Sequence, residues 1–374
     1  MQILYSNKIV LSDDVINGYI VIDNDKIIDI QSEQNPEGEF IDLTGKYILP
    51  GFINVASDDY SNEAKSPYNK FFSEERIFSQ TDRLLAESGV TTNFHTFRLE
   101  DLLKEQSVED AIEYLNAIKN NSINSGLVNH KIHLVFRLGE RLANRNLRQL
   151  IISGVIDFIT CVGLHSRDVF NYHNQYLIQN MQRRFDLDDE QALEALKYLT
   201  SLREESALDE LSYRIKSAKN LNLPFASNRY SLIKRLKDEY KIDIDIISGE
   251  HTPQTIALIK ENDIHYIYDV EGFINTNDVS EFVDLISDKV VDIVSASTHS
   301  KDILDYIFEI EGILGLPEAV KLFSHYPAEA LKLEDRGSIS VGKKADFVVV
   351  EMNGELPTLS MTIANGKTAV QYNY

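Results

Sequence analysis

The chain has 374 residues, of which 43% are hydrophobic and 26% are charged, a composition typical of folded globular domains. This length exceeds the roughly 250–300 residues at which single cores stop growing, which favours one large domain with a smaller appendage. The formal net charge of −22 opposes non-specific binding to nucleic acid or anionic lipid, because both need clustered Lys and Arg.

Both ends of the chain are predicted to be β-structure. Residues 20–30 contain two short apolar runs around an Asp-Asn-Asp turn, which predicts a hairpin. Residues 345–367 show the same alternation of apolar runs and turns. We expect the two ends to form one small composite β-sandwich domain of residues 1–50 and 338–374, beside a domain of residues 51–337.

The middle of the chain alternates apolar runs with stretches of helical periodicity. The apolar runs predict strands at 52–55, 91–97, 132–136, 158–162, 224–227, 244–247, 264–268 and 290–295. Amphipathic helices are predicted at 77–88, 108–118, 231–240, 253–261, 278–286 and 303–311. Eight buried strands alternating with helices are the pattern of a parallel barrel, so we predict an α/β fold with a distorted (β/α)8 barrel of the TIM type.

One long insertion interrupts the alternation. Residues 186–221 are predicted to be helical, since they lack Gly and Pro, and their start is acidic. We place the insertion after the fifth barrel strand, on the side where βα loops build active sites. The preferred interpretation is a helical hairpin packed on the barrel, and the alternative is a lid or a dimerisation element. A homodimer is compatible with such a surface.

The location of the protein is predicted from what the sequence lacks. No basic segment with an apolar stretch and a small-residue cleavage site follows Met1, and no apolar run approaches the ~20 residues that span a bilayer. A single cysteine, Cys161, cannot form an intrachain disulfide and is predicted to be a small buried hydrophobe. We therefore expect a cytoplasmic protein whose partners include neither nucleic acid nor a membrane.

Motifs near both ends carry a family resemblance. Residues 47–54 read Tyr-Ile-Leu-Pro-Gly-Phe-Ile-Asn, and residues 336–346 contain Arg-Gly-Ser-Ile and Gly-Lys-Lys-Ala-Asp. They resemble the segments that lead into and out of the barrel in the amidohydrolase superfamily. Residues 316–337 and 129–134 resemble, more narrowly, the alkylphosphonate-utilisation diphosphatase family of the carbon–phosphorus lyase pathway. That family cleaves diphosphate from a ribose triphosphate carrying an alkylphosphonate.

The resemblance implies a fold that normally holds one or two divalent metals. The superfamily ligands are a His-x-His or His-x-Asp pair on strand 1, a Lys or Glu on strand 4, His on strands 5 and 6, and an Asp on strand 8 that also acts as general base. Imidazole and carboxylate ligands bind the ion, which lowers the pKa of its bound water towards neutrality.

This sequence departs from that ligand set at most positions. In strand order, the aligned residues are Ala56 with Asp58, Arg137, His165 after a one-residue gap, Asn228 with Arg229, and Ser297. A guanidinium stays protonated and repels a divalent ion, so Arg137 is worse than a neutral replacement. We therefore predict that the metal site is lost and that no cofactor is used.

Arginines are predicted to replace the metal. Asp58 and Arg137 are expected to pair and to fill the vacated site. The residues predicted to bind a ligand at the barrel end are Arg98, Arg137, Arg167, Asn228, Arg229 and Ser297. Converging arginines predict a pocket for a phosphorylated or carboxylated small molecule. The alternative is that they only neutralise nearby Asp and Glu.

The histidines are a second group of candidates. His133 alternates with apolar residues and is predicted to face the barrel interior, while His95 is placed at a strand end beside the active-site face. A rearranged site of His95, His133 and His165 is one interpretation. The other is that these are satisfied core or surface histidines.

Three functions remain open at this stage. The preferred hypothesis is a pseudoenzyme, an amidohydrolase-like barrel that acts as a non-catalytic ligand-binding or partner protein. The second is a hydrolase for a phosphorylated or amide substrate with a rearranged or metal-free site, in which Asp58, His133 or His165 is the base. The third is an active diphosphatase.

Overall fold

The computed structural model describes most of the chain. The described residues are 1–69, 71–104, 106–138, 141–162, 172–195, 198, 216, 221–228, 230–249, 252–262, 264–270, 280–296 and 300–372. Among them, no helix is both long and apolar enough to cross a membrane. Two sheets organise these residues, and we call them the terminal sheet and the barrel sheet.

The terminal sheet is built from both ends of the chain. Its strands are β1 (Gln2–Val10), β2 (Val15–Asp23), β3 (Lys26–Ser32), β4 (Ile41–Asp42), β5 (Tyr47–Pro50), β14 (Phe347–Asn353), β15 (Leu356–Ala364) and β16 (Lys367–Gln371). They lie in the order β16-β15-β14-β5-β1-β2-β3, with β4 beside β1. The β5–β14 ladder is antiparallel and places Phe347 opposite Pro50. This ladder joins the two chain ends, as the sequence predicted.

The terminal sheet has a hydrophobic core of its own. Leu4, Ile48 and Phe347 are fully buried within this core. The two hairpin turns also meet, because a Cβ atom on Gly366 would lie 1.9 Å from the carbonyl oxygen of Asn24. With a backbone φ of 73° as well, this position accepts glycine and excludes larger residues.

The barrel sheet follows the predicted pattern of eight strands. They are β6 (Phe52–Ser57), β7 (Val90–Arg98), β8 (Asn129–Arg137), β9 (Phe158–Val162), β10 (Phe225–Ser227), β11 (Ile246–Ser248), β12 (His265–Asp269) and β13 (Ile293–Ser295). Neighbours in sequence are neighbours in the sheet, and every pair is parallel. The Ser295 hydroxyl of β13 donates to the Ala56 carbonyl of β6 at 3.3 Å, which brings the first and last strands together.

The strand numbers implied by the family resemblance need one correction. The described residues between β7 and β8 form helices at Leu99–Leu102 and Val108–Ser125 and contain no further strand. Arg137 therefore ends the third barrel strand rather than the fourth. For the same reason, the insertion at 186–221 follows the fourth strand, β9, and not the fifth.

Helices cover the barrel sheet. Their bounds are α1 (Asp59–Lys65), α2 (Glu74–Glu87), α3 (Leu99–Leu102), α4 (Val108–Ser125), α5 (Arg141–Ile152), α6 (Tyr172–Phe185), α7 (Tyr230–Asp238), α8 (Pro253–Asn262), α9 (Ser280–Ser287), α10 (Ile303–Leu314), α11 (Leu316–Lys321) and α12 (His325–Ala330). The six predicted helices are present with shifted ends. Helix α4 begins with a capping box between Ser107 and Asp110, which satisfies backbone donors of its first turn.

The insertion lies mostly outside the described residues. Residues 189–195 are helical, as predicted, and single helical positions at 198 and 216 agree. Its role as packing element, lid or dimerisation element stays a prediction.

The interior of the barrel is closed at its N-terminal end. Ile53, Phe94 and Phe158 form an apolar cluster with Ala328 and with Leu331 just after helix α12. Burial of each large apolar side chain contributes about 1.5–3 kcal/mol to the free energy of folding, so this end is a packed core. The interior is therefore accessible only from the opposite end of the barrel, at the C-terminal ends of the strands.

Candidate functional site at the barrel mouth

A cavity of about 330 Å³ opens at the C-terminal ends of the barrel strands, and we call this opening the mouth. Parallel barrels carry their binding and catalytic residues at this end. Its described wall consists of Ala56, Asp58, Thr96, Arg98, His133, Val135, Phe158, Thr160, Val162, Ser248, Gly249, Tyr266, Ile267, Tyr268, Asp269 and Ser295. The wall is largely apolar and aromatic, and small hydroxyl groups interrupt it.

An arginine–carboxylate pair occupies one side of the mouth. Asp58 directly follows β6, and Arg98 is the last residue of the adjacent strand β7. Two parallel hydrogen bonds join them, with Nη1 donating to Oδ1 and Nη2 to Oδ2, both at 3.0 Å. The hydrogen bonds that Arg98 donates to Asp58 raise the pKa of Arg98 above its ordinary value. The guanidinium therefore carries a permanent charge at the mouth.

The predicted pair of Asp58 with Arg137 is wrong. Arg137 lies on β8, one strand further from β6 than Arg98, and its Nε pairs with Glu100 Oε1 at 3.3 Å. Strand adjacency thus decides which arginine reaches Asp58. The partner of Arg137 agrees with the alternative in which an arginine neutralises a neighbouring carboxylate.

His133 is locked inside the barrel, as the alternation along β8 predicted. Its Nδ1 shares a hydrogen bond with Thr96 Oγ1 at 3.2 Å, and its Nε2 shares one with Thr160 Oγ1 at 2.7 Å. The ring stacks on Phe158 with 4.2 Å between ring centroids. Burial, with a smaller effect of the Arg98 charge, lowers the pKa of His133 to about 3. The imidazole is therefore neutral at physiological pH.

His133 should make the stability of the protein depend on acidity. The unfolded chain protonates this imidazole below its ordinary pKa of 6.5, whereas the folded protein resists protonation down to a pKa of about 3. Stability is thus present above pH 6.5 and is lost as the pH falls towards 3, by roughly 2 kcal/mol at about pH 5. Urea unfolding of His133→Gln at about pH 7 and about pH 5 should show a smaller acid loss than the wild type. Equal losses of stability in the wild type and in His133→Gln would contradict the assignment of the acid sensitivity to His133.

His95 belongs to the outer face of the barrel sheet and not to the mouth. Its Nε2 shares a hydrogen bond of 2.6 Å with His130 Nδ1, and His130 Nε2 lies 2.9 Å from Asp82 Oδ1 on helix α2. Side chains alternate along β7, so Thr96 points inward and His95 outward. The predicted position of His95 beside the mouth is wrong, and a joint site with His133 is excluded. Burial lowers the pKa of His95 well below its ordinary value.

The other predicted residues have different outcomes. Cys161 is fully buried in β9, as expected. Asn228 follows β10 and lies beside the mouth, since a Cβ on Gly249 would be 3.3 Å from the Asn228 Cβ. The candidates that lie outside the described residues are His165, Arg167, Arg229 and Ser297.

Several residues of the mouth were not predicted from the sequence. Thr96 and Thr160 hold His133, and Tyr266 donates its hydroxyl to the Gly249 carbonyl at 2.6 Å. Asp269 ends β12 and adds a carboxylate to the wall. A signal was present for Thr160, which precedes the end of its predicted strand by two residues and shares the inward phase of Val162, whereas Thr96 shares that phase only with Arg98, one residue beyond the predicted strand 91–97.

The described donors do not fit a divalent metal ion at the mouth. Both oxygens of Asp58 are engaged by Arg98, and both ring nitrogens of His133 face threonine hydroxyls. Ala56 has no donor in its side chain. Within the described ranges, no group of three or more His, Cys, Asp or Glu side chains is placed to hold a metal. A divalent ion needs several such ligands.

Comparison with known proteins agrees with this fold. A family model described as "Amidohydrolase family" matches residues 286–370. The chain is 22% identical over 369 residues to the alpha-D-ribose 1-methylphosphonate 5-triphosphate diphosphatase of Escherichia coli (strain K12), covering 93% of this chain and 94% of that protein.

Solved structures show the same architecture. The N-acetyl-D-glucosamine-6-phosphate deacetylase of Mycobacterium smegmatis matches with a TM-score of 0.66 and 12% identity, covering 99% of this chain and 100% of the other. The 5-methylcytosine deaminase of Klebsiella pneumoniae matches with a TM-score of 0.67 and 12% identity, covering 100% and 98%. The chain therefore has the same barrel fold as these solved structures, and it is similar in sequence along nearly its whole length to the E. coli diphosphatase.

Proposed function

We propose that this protein is a non-catalytic binding protein on an amidohydrolase barrel, and that its mouth takes an anionic small molecule. The observation that carries the proposal is the two-bond Arg98–Asp58 pair in the cavity wall. The resemblance assigns Asp58 to the strand-1 metal ligands, and here a guanidinium occupies both of its oxygens. The Arg98 side chain is 42% exposed, so its charge-assisted N–H donors are accessible to an anionic ligand.

A metal-free hydrolase is the alternative, and the described geometry disfavours it. A general base must accept a proton from substrate or water near neutral pH. His133 has a pKa of about 3 and both nitrogens bonded, and both Asp58 oxygens already accept hydrogen bonds. The third candidate base, His165, lies outside the described residues.

The diphosphatase activity of the E. coli relative is the remaining candidate, favoured by the similarity over 93% of this chain. The resemblance ties that activity to a divalent metal, so metal content separates it from our proposal. Protein purified without chelators should contain far less than one equivalent of zinc, manganese or iron by mass spectrometry. One tightly held equivalent, together with loss of activity on its removal, would overturn the proposal.

Substrate assays separate binding from metal-free catalysis. We expect no hydrolysis of phosphate esters, phosphate anhydrides or amides above the uncatalysed rate, with or without added divalent metal. The matched variant is Asp58→Asn, which removes a candidate base with little change of shape. Hydrolysis by the wild type that persists in chelator and disappears in Asp58→Asn would favour the metal-free hydrolase.

A further inference from the structure

We infer that the ligand of the mouth is a compact monocarboxylate with an apolar body, which binds by taking Arg98 from Asp58. This inference rests on the proposed function and adds the class of ligand and the way in which it binds. Three properties of the described wall support it: its charge, the geometry of its one arginine, and its apolar depth.

The charge of the wall favours an anion with a single charge. The charged groups of its described part are Arg98, Asp58 and Asp269. A phosphate ester carries about −1.5 to −2 at neutral pH and needs several cations around it. Within the described part of the wall, the guanidinium of Arg98 is the one cation, and it is already paired with Asp58. A monocarboxylate that replaces Asp58 on Arg98 leaves the number of charges at the guanidinium unchanged.

The geometry of Arg98 favours a carboxylate in particular. Its two terminal nitrogens already hold a planar carboxylate at equal distances of 3.0 Å. The Arg98 side chain is 42% exposed and that of Asp58 is 23% exposed, so solvent reaches the pair. An exposed pair of this kind contributes little net stability, and its exchange for another carboxylate costs correspondingly little. Released Asp58 can be rehydrated where it stands.

The apolar wall inside the mouth favours a ligand with an apolar body. Val135, Phe158, Val162 and Ile267 line it with hydrocarbon surface, and Tyr268 adds an aromatic ring. A cavity of about 330 Å³ is at the small end of the range for ligand sites, roughly 300–1,000 Å³. A single ring with a short acidic side chain matches this space.

Arg98 also borders a second cavity of about 220 Å³ on the outer side of β7. Ala64, Phe97 and Tyr114 line it, and Lys65 at its edge pairs with Asp101 at 2.9 Å. We place the ligand in the mouth, because it is larger and lies at the strand ends, where parallel barrels bind their ligands. The second cavity supplies a test of this placement.

The first experiment is isothermal titration calorimetry with phenylacetate as the probe. We expect one equivalent to bind. The neutral isostere phenylacetamide should bind at least roughly tenfold more weakly, because it loses the charge-assisted bonds to Arg98. Phenyl phosphate, with the same ring and a higher charge, should also bind more weakly than phenylacetate.

Variants test the exchange. Asp58→Asn removes the competing carboxylate, so phenylacetate should bind it roughly tenfold more tightly than the wild type. Arg98→Gln should abolish binding. Val162→Phe narrows the mouth and should also abolish binding, whereas Ala64→Phe narrows the second cavity and should leave it unchanged. Far-ultraviolet circular dichroism confirms that each variant is folded.

The outcomes distinguish a failure of the monocarboxylate inference from a failure of the proposed function. Tight binding of phenyl phosphate without phenylacetate overturns the monocarboxylate inference and leaves the proposed function standing. The inference is also overturned if phenylacetate does not bind, or if Asp58→Asn binds it more weakly than the wild type does. It is overturned as well if Ala64→Phe loses binding while Val162→Phe keeps it. Hydrolytic activity or a stoichiometric metal overturns the proposed function, whichever probe binds.

Discussion

Replacement of Arg336 by methionine is expected to lower the free energy of unfolding by about 3–5 kcal/mol, because it leaves a buried carboxylate without its counter-charge. Arg336 is only 7% exposed and donates to Thr92 Oγ1 of β7 at 2.7 Å. It also bonds Asp335 twice and lies 3.6 Å from Asp346, which precedes β14. The side chain thus links the barrel to the terminal sheet.

The loss in Arg336→Met should depend on pH in a defined direction. Burial raises the pKa of Asp346, and Arg336 opposes that effect. Without Arg336, the pKa of Asp346 in the folded protein rises further above its value in the unfolded chain. A raised pKa means that stability is present where the group is protonated and is lost as the pH rises through the folded pKa. The deficit of the variant should therefore be larger at about pH 7 than at about pH 5.

Urea unfolding at the two pH values measures both effects. Arg235→Met is the matched control, because Arg235 forms a partly exposed i,i+4 pair with Glu239, just after helix α7. We expect the control to change the free energy of unfolding by less than about 0.5 kcal/mol at either pH. Equal losses in the two variants would refute the linking role of Arg336.

Replacement of Asp82 by alanine should be as costly, at about 3–5 kcal/mol, because three hydrogen-bonded groups, two of them on buried residues, lose this carboxylate. Asp82 is 3% exposed on helix α2. It accepts hydrogen bonds from the backbone N–H groups of Leu127 and Val128, and His130 Nε2 lies 2.9 Å away. One carboxylate thereby holds the start of β8 against the helix.

Two further substitutions isolate this effect. Asp82→Asn keeps one acceptor oxygen and should lose less stability than Asp82→Ala. Arg83→Ala alters the next residue of α2, whose side chain is exposed, and should change stability by less than about 0.5 kcal/mol. If Asp82→Ala unfolds at the same urea concentration as Arg83→Ala, the buried network is not a major source of stability.

The barrel could be predicted because its strands are buried on both faces and therefore appear as apolar runs. Strand ends were harder to predict. β8 begins at Asn129, yet the sequence predicted only 132–136, because its first residues are polar. His130 belongs to this polar start, and its burial depends on Asp82 from a distant helix. Local composition carries no signal of such a partner.

The sequence predicted which residues lie at the mouth better than it predicted which of them form ion pairs. Asp58 and Arg98 were both predicted as site residues, but Asp58 was assigned to Arg137. The correct pairing depends on the order of strands in space and on the irregular register of β6 against β7, where the pairing shifts between Asn54 and Ser57. Such a shift reverses which face a side chain occupies. It cannot be read from alternation alone.

The ladder between β5 and β14 can form only late in synthesis, because its two strands lie far apart in the sequence. Residues 47–50 meet strand partners that leave the ribosome almost a full chain length afterwards. Neighbouring barrel strands, in contrast, are neighbours in sequence and find each other as they emerge. During synthesis the edge of β5 that later pairs with β14 therefore stays unpaired, and an unpaired strand edge is prone to wrong pairing. Completion of the C-terminal hairpin both finishes the fold and removes that hazard.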